Sequence, residues 1–147
     1  MSYSVYLVDH IGNSLVSKRL IQEGGTQVMG GTTMCELSIT NNYASLYTIA
    51  LDEEKGLHWI KGKTGNETVK RLQHAVKVLG TRRYQRPVDN CEHCGHTIGV
   101  GPGLSDPGLV TNIREDYWAP TPGNAGFALN ILLGWAMEYP NGYWELY

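Results

Sequence analysis

The sequence predicts an α+β fold: a small antiparallel β-sheet from the N-terminal third, packed by about three helices near residues 43–51, 65–79 and 122–138, with a long Gly/Pro/Cys loop insertion at about 81–115. Two observations predict it. Thr33–Thr40 alternates, with Cys35, Leu37 and Ile39 on one side and Met34, Glu36, Ser38 and Thr40 on the other, which is the period of a half-buried strand. Apolar side chains then recur at helical spacing in the later stretches.

Tyr3–Val8 alternates weakly and ends at Asp9-His10, with Gly12-Asn13 as a turn signal and Ser14–Ile21 as a second β-prone run; together they read as a hairpin. Gly24-Gly25-Thr26 and Gly30-Gly31-Thr32 form a near repeat. Such pairs serve as tight turns or leave N–H groups exposed to an anion, but no Gly-Lys-Ser/Thr follows to make a phosphate loop. Cys35 reads as a small buried hydrophobe and Glu36 as solvent-facing.

Asn41-Asn42 is placed to cap a helix over Ala44–Leu51. Asp52-Glu53-Glu54 reads as a solvated loop and Leu57–Ile60 as a short apolar patch. Thr64 and Glu67 have capping-box spacing, and the helix they open carries Val69, Leu72, Val76 and Leu79 on one face, with Gly80 as its C-cap. Thr121 and Pro122 open the last helix. Ala125, Ala128, Leu129, Leu132, Leu133, Ala136 and Met137 line one side of it, and Phe127, Ile131 and Trp135 cover much of the other. A helix apolar nearly all round is either the centre of the core or a subunit contact, so a homo-oligomer is expected. Tyr139-Pro140 ends it, and the aromatic tail Tyr143–Tyr147 is expected to dock on the body.

The chain has 147 residues and reads as one domain, 1–147, long enough to bury a real core. With 41% hydrophobic and 18% charged residues and a net charge of -2, it reads as soluble, with no general reason to expect nucleic acid or an acidic membrane as partner. No apolar run is long enough to span a bilayer, and the first residues lack a secretory signal, so a cytoplasmic location is expected. Nine Tyr and four Trp stand against one Phe, a skew toward half-wet positions at pockets or interfaces.

Cys91-x-x-Cys94-Gly95 resembles a zinc knuckle: two thiolates on a turn, half of a tetrahedral set. His96 or His93 is the nearest further ligand; His10, His58, His74 or a symmetric copy are other sources, and a reduced, metal-free turn is the alternative. Structural zinc would staple the long loop. The sequence contains neither Gly-x-Ser-x-Gly nor His-Glu-x-x-His, and its acidic clusters, Asp52-Glu53-Glu54 and Glu115-Asp116, read as loop and turn residues.

The binding case rests on convergence. Asn41 and Tyr43 stand at one helix start, and Tyr117, Trp118, Thr121 and Asn124 at another. Aromatic faces stack a base and a helix N-terminus attracts phosphate, with Arg82, Arg83 and Arg86 as countercharge.

Gly24-Gly25-Thr26, Gly30-Gly31-Thr32-Thr33, Leu37-Ser-Ile-Thr-Asn-Asn-Tyr-Ala44, Thr64-Gly65 with Glu67, Tyr117-Trp-x-Pro-Thr-x-Gly-Asn-Ala125 with Ala128-Leu129, and Pro140-Asn-Gly-x-Trp144 resemble a family of small, largely uncharacterised phage and prophage proteins. The resemblance covers most of the chain outside 81–115, which stands as an insertion relative to it and carries no family-wide zinc role. Met34 and Ser38 stand where members often have an acid and an Asn, so no role transfers to them. The resemblance implies the cytoplasm of an infected bacterium. By analogy with small phage proteins that sequester nucleotide signals of host defence, it implies a non-catalytic binder of a cyclic nucleotide or ADP-ribose derivative. A module inhibiting a host protein through the 81–115 loop and a hydrolase of such nucleotides are the alternatives.

Overall fold

In the computed structural model the described residues are 2–23, 27–83, 85–87, 113–115 and 119–147. Their strands are β1 (Ser2–Val8), β2 (Val16–Glu23), β3 (Gln27–Met34), β4 (Glu36–Thr40), β5 (Gln85–Pro87), β6 (Ile113–Glu115) and β7 (Tyr143–Leu146). The helices are α1 (Ala44–Ala50), α2 (Gly65–Leu79) and α3 (Pro122–Glu138), with 3-10 turns at Asn41–Tyr43 and Gly56–Ile60. The fold is α+β with antiparallel strands. It divides into two units, Met1–Arg83 with Tyr117–Tyr147, and Tyr84–Asp116. In the second unit β5 pairs with β6, Gln85 opposite Glu115, so a short ribbon lies within what the sequence presents as loop.

In the first unit β1 is the central strand of a sheet ordered β4-β1-β7. Val5 lies opposite Leu37 on one side and Leu146 on the other, and Leu7 lies opposite Trp144. All five are buried, so alternation puts one apolar face against the helices. The expected β1–β2 hairpin begins and then stops. The Asp9 carboxylate accepts from the N–H groups of Ile11 at 2.9 Å and Asn13 at 3.0 Å, and Leu15 N–H reaches the Leu7 carbonyl at 3.0 Å. Beyond that point Cys35 intervenes. Its carbonyl accepts from Leu7 N–H at 2.9 Å and its N–H donates to the Leu15 carbonyl at 2.7 Å. β2 diverges to pair with β3, while β1 takes β4 and β7. The competition favours strands that add Leu37, Ile39, Trp144 and Leu146 to the buried face over one that begins with exposed Val16 and Lys18.

The strand-to-helix corner is capped by Thr40, whose hydroxyl accepts from Asn42 N–H at 3.3 Å, and not by the asparagines after it. The capping box of α2 forms as its spacing requires: Thr64 Oγ1 accepts from Glu67 N–H at 3.3 Å and Glu67 Oε1 accepts from Thr64 N–H at 3.1 Å. The next two donors are met from afar, Gly65 N–H by the Gly142 carbonyl at 2.8 Å and Asn66 N–H by the Pro140 carbonyl at 2.9 Å.

Helices α2 and α3 pack antiparallel on glycine contacts at both ends. A Cβ on Gly65 would stand 2.6 Å from the Tyr139 carbonyl oxygen, and Cβ atoms on Gly126 and Gly123 would fall on the carbonyl oxygens of Gly80 and Arg82. Hydrogen for methyl at these positions is what lets backbone meet backbone. Three buried donors are paired across elements: Trp144 Nε1 donates to Thr68 Oγ1 at 2.9 Å, Tyr47 Oη to the Ala125 carbonyl at 3.0 Å, and Trp135 Nε1 to Ser17 Oγ at 3.2 Å.

The apolar girdle of α3 is covered inside the chain. Ala125, Ala128, Leu129, Leu132, Leu133, Trp135 and Ala136 are buried, whereas Met137, expected in the core, is 58% exposed. Most of the apolarity of this helix therefore goes into the chain's own core, with Phe127 and Ile131 half-buried and Met137 exposed. The tail docks as expected, as edge strand β7.

Gly126→Ala and Gly123→Ala are each expected to lower stability by about 1–3 kcal/mol through overpacking, read as a shift in urea midpoint. Gly134→Ala on the same helix, where an added Cβ meets nothing within 4 Å, should instead gain up to about 1 kcal/mol from helix propensity.

Candidate functional site

The start of α3 is built for structure. Thr121 Oγ1 accepts from Asn124 N–H at 3.3 Å, Asn124 Nδ2 donates to the Ala119 carbonyl at 3.0 Å, and Asn124 is 2% exposed. Thr121 N–H bonds the Ala119 carbonyl at 2.7 Å, Pro122 has no N–H, and Gly123 lies against the Arg82 carbonyl. The helix mouth thus caps itself and is covered by the chain leaving α2, so the free donors expected there are largely consumed.

Tyr43 is fully buried, its ring edge-on to Tyr47 at 5.9 Å between centroids. It is a core residue with no open face for a base. Asn41 is exposed and its carbonyl accepts from Ala44 N–H. The structure does bring Arg82 to the first turn of α3, and the neighbouring Arg83 guanidinium lies 4.8 Å from the Phe127 ring centre. Tyr117, Trp118, Cys91, Cys94 and His96 lie outside the described residues, as does the Arg86 side chain. Among the described residues no group of three or more His, Cys, Asp or Glu could hold a metal ion, and no helix is long and apolar enough to cross a membrane.

A different constellation stands open. Gly56, at φ +56°, turns the chain into the 3-10 turn Gly56–Ile60. Leu57 and Ile60 plug into the core, which leaves Trp59 half-buried between them. The ring carries two cations: Lys63 Nζ 4.6 Å and the Arg71 guanidinium carbon 4.5 Å from its centre. Both are held. Lys63 Nζ donates to the Trp59 carbonyl at 2.9 Å, and Arg71 Nη1 donates to the Leu51 carbonyl at 2.9 Å and stands 3.8 Å from Asp52 Oδ2. Asp52 is itself fixed, accepting from Lys55 N–H at 2.7 Å and Glu54 N–H at 3.0 Å. These backbone bonds, with Arg71 adding to them, hold its carboxyl below the usual range. Trp59, Lys63, Arg71 and His74 line a cleft of ≈ 710 Å³, with Glu53 and Glu54 on its acidic side.

A second cleft, of ≈ 560 Å³, is lined by Asp9, His10, Glu138 and Tyr139 among others. One Glu138 carboxylate oxygen, Oε1, is buried there with no hydrogen-bond partner among the described residues. Cys35 is buried, and desolvation first, then the Glu138 charge, push its thiol up to about 12. A thiol so placed stays protonated and is no nucleophile at neutral pH.

Comparison with family models, with characterised proteins and with solved structures finds no match. Function is therefore argued from the residues themselves. Trp59, Lys63 and Arg71 are not singled out by the sequence because Leu57–Ile60 reads as a short apolar patch and Arg71 lies off the apolar face of its helix. The available signal was an indole set among His58, Lys61 and Lys63.

The raised Cys35 thiol has a consequence for stability. Unfolded, it loses its proton at an ordinary thiol pKa of about 8.5; folded, it keeps it to about 12. The unfolded state then binds fewer protons, so this contribution is whole below about pH 8.5 and is lost as pH rises toward 12. Urea midpoints measured between neutral and alkaline pH should fall more steeply for the native chain than for Cys35→Ala.

Proposed function

We propose that the protein binds a nucleotide-derived, anionic small molecule without turnover, and that the Trp59 cleft holds it. The observation that carries this reading is an indole flanked by two fixed cations, Lys63 and Arg71, in a cleft of ≈ 710 Å³. That volume suits a small-molecule ligand of this size class. With the Arg71 guanidinium carbon 4.5 Å from the centre of the indole, a base or nicotinamide-like ring meets an aromatic and cationic surface. Phosphates meet Lys63 and Arg71, with His74 beside them.

Both cations are tethered to backbone carbonyls of the protein, so ligand binding costs little further ordering of their long side chains. The chemistry is the one read from the sequence, moved from the α3 mouth to the turn after α1. In the phage setting that the sequence resemblance implies, the ligand is a signal of host defence and its capture is sequestration.

Isothermal titration with cyclic dinucleotides and ADP-ribose derivatives tests the reading; heat from at least one is expected, and none from any of them counts against it. Trp59→Ala should weaken that binding by about 1–3 kcal/mol, the range for losing one stacked base. Chromatography of the recovered ligand should return it intact, since conversion makes the protein a hydrolase.

A further inference from the structure

Resting on that cleft reading, we infer that the nucleotide-derived ligands the cleft takes include short single-stranded oligonucleotides, with a base at Trp59 and successive phosphates running along the solvent face of α2. The net charge of -2 conceals a one-sided distribution. From Thr68 to Arg83 the chain has Lys70, Arg71, Lys77, Arg82 and Arg83 and no Asp or Glu; the one acid of α2, exposed Glu67 in its first turn, is held by Thr64 in the capping box. Leu72, Ala75 and Leu79 face the core, so Lys70, His74 and Lys77 are left on the exposed side. At about 100° per residue these three fall within a sector of roughly 60°, and Lys70 to Lys77 spans about 10 Å at 1.5 Å per residue. That is more than one phosphate group covers.

The cleft and this face are continuous, because Arg71 and His74 line the cleft and belong to α2. Arg71 is tethered to Leu51 and Asp52, while Lys70 and Lys77 form no ion pair among the described residues. The acidic turn supplies direction. Glu53 and Glu54 border the cleft on its α1 side and repel phosphate, so the sugar-phosphate chain leaves toward α2. Sequence-tolerant stacking on an aromatic beside a cationic track is the usual way a protein holds single-stranded nucleic acid.

The test uses the full-length protein, a fluorescently labelled short oligothymidylate and thymidine monophosphate, with affinities measured by anisotropy and titration over a range of salt. The oligonucleotide should bind more tightly than the mononucleotide and with a steeper dependence of log affinity on log salt. In the double variant Lys70→Gln/Lys77→Gln that slope should flatten by about 1.4, at roughly 0.7 for each phosphate no longer neutralised. Mononucleotide binding should be unchanged in this variant, and Trp59→Ala should weaken both ligands.

If the lysine pair alters neither slope nor affinity while mononucleotide binding persists, the α2 track is wrong and the cleft survives. If neither nucleotide binds, the oligonucleotide inference is overturned, and the cleft reading stands or falls by the titration with cyclic dinucleotides and ADP-ribose derivatives. Polyglutamate binding as well as the oligonucleotide reassigns the face to acidic protein partners and overturns the inference.

Discussion

Backbone-to-backbone contact between α2 and α3 is the constraint on which the rest of the structure depends. Gly65 meets the end of α3, and Gly126 and Gly123 meet the carbonyls of Gly80 and Arg82 just past α2, so the two helices approach closely at both ends. That proximity places the chain leaving α3 directly over the start of α2, so the carbonyls of Pro140 and Gly142 satisfy the N–H groups of Asn66 and Gly65. The same turn delivers β7 to the side of β1, where Trp144 enters the core and bonds Thr68 on α2. Helix packing, helix capping and sheet closure are thus one arrangement. A methyl group at any of the three glycines pushes on all of it, because densely packed interiors transmit such displacements.

This arrangement also decides where chemistry is possible. The positive ends of α2 and α3 are common anchors for phosphate, yet here that of α2 is spent on its capping box and the Pro140–Gly142 turn, and that of α3 is capped by Thr121 and crowded by the chain after α2. What is left to meet a ligand is side chains on the outer surface. The 3-10 turn after α1 turns Trp59 outward because Leu57 and Ile60 claim the interior. Arg71 lies on the edge of α2 that faces this turn and is steadied there by Leu51 and Asp52. Its guanidinium has lost freedom but remains partly open, the condition in which a charged group contributes most to recognition.

Much of the fold was legible because it is local. Thr64 and Glu67 are three residues apart and bond each other wherever the helix lies. Thr121 and Pro122 start α3 by the same short-range logic, and Cys35, Leu37 and Ile39 alternate with the pleat of a single strand. The errors lie where distant segments compete. β1 and β2 share a good turn, but β4 and β7 bring larger apolar side chains to β1, and no periodicity within residues 3–21 records that. Tyr43 looked like a ring at a helix mouth. It is a core ring because Tyr47 beside it bonds Ala125, more than seventy residues away in the chain.

By itself, then, the sequence determined the three helices, the caps of α2 and α3, the apolar face of α2 and the alternation of β4, since each follows from spacing within one segment. Only the tertiary structure decided which strands pair, which aromatics are enclosed and which remain accessible. Burial is a property of several segments at once: a Trp between two anchored apolar residues is left half-buried, and a Tyr one turn from another core Tyr goes in. The Trp59 cleft exists because the turn after α1, the acidic turn at Asp52 and one edge of α2 converge. That convergence is a matter of packing geometry, and no stretch of the chain read alone contains it.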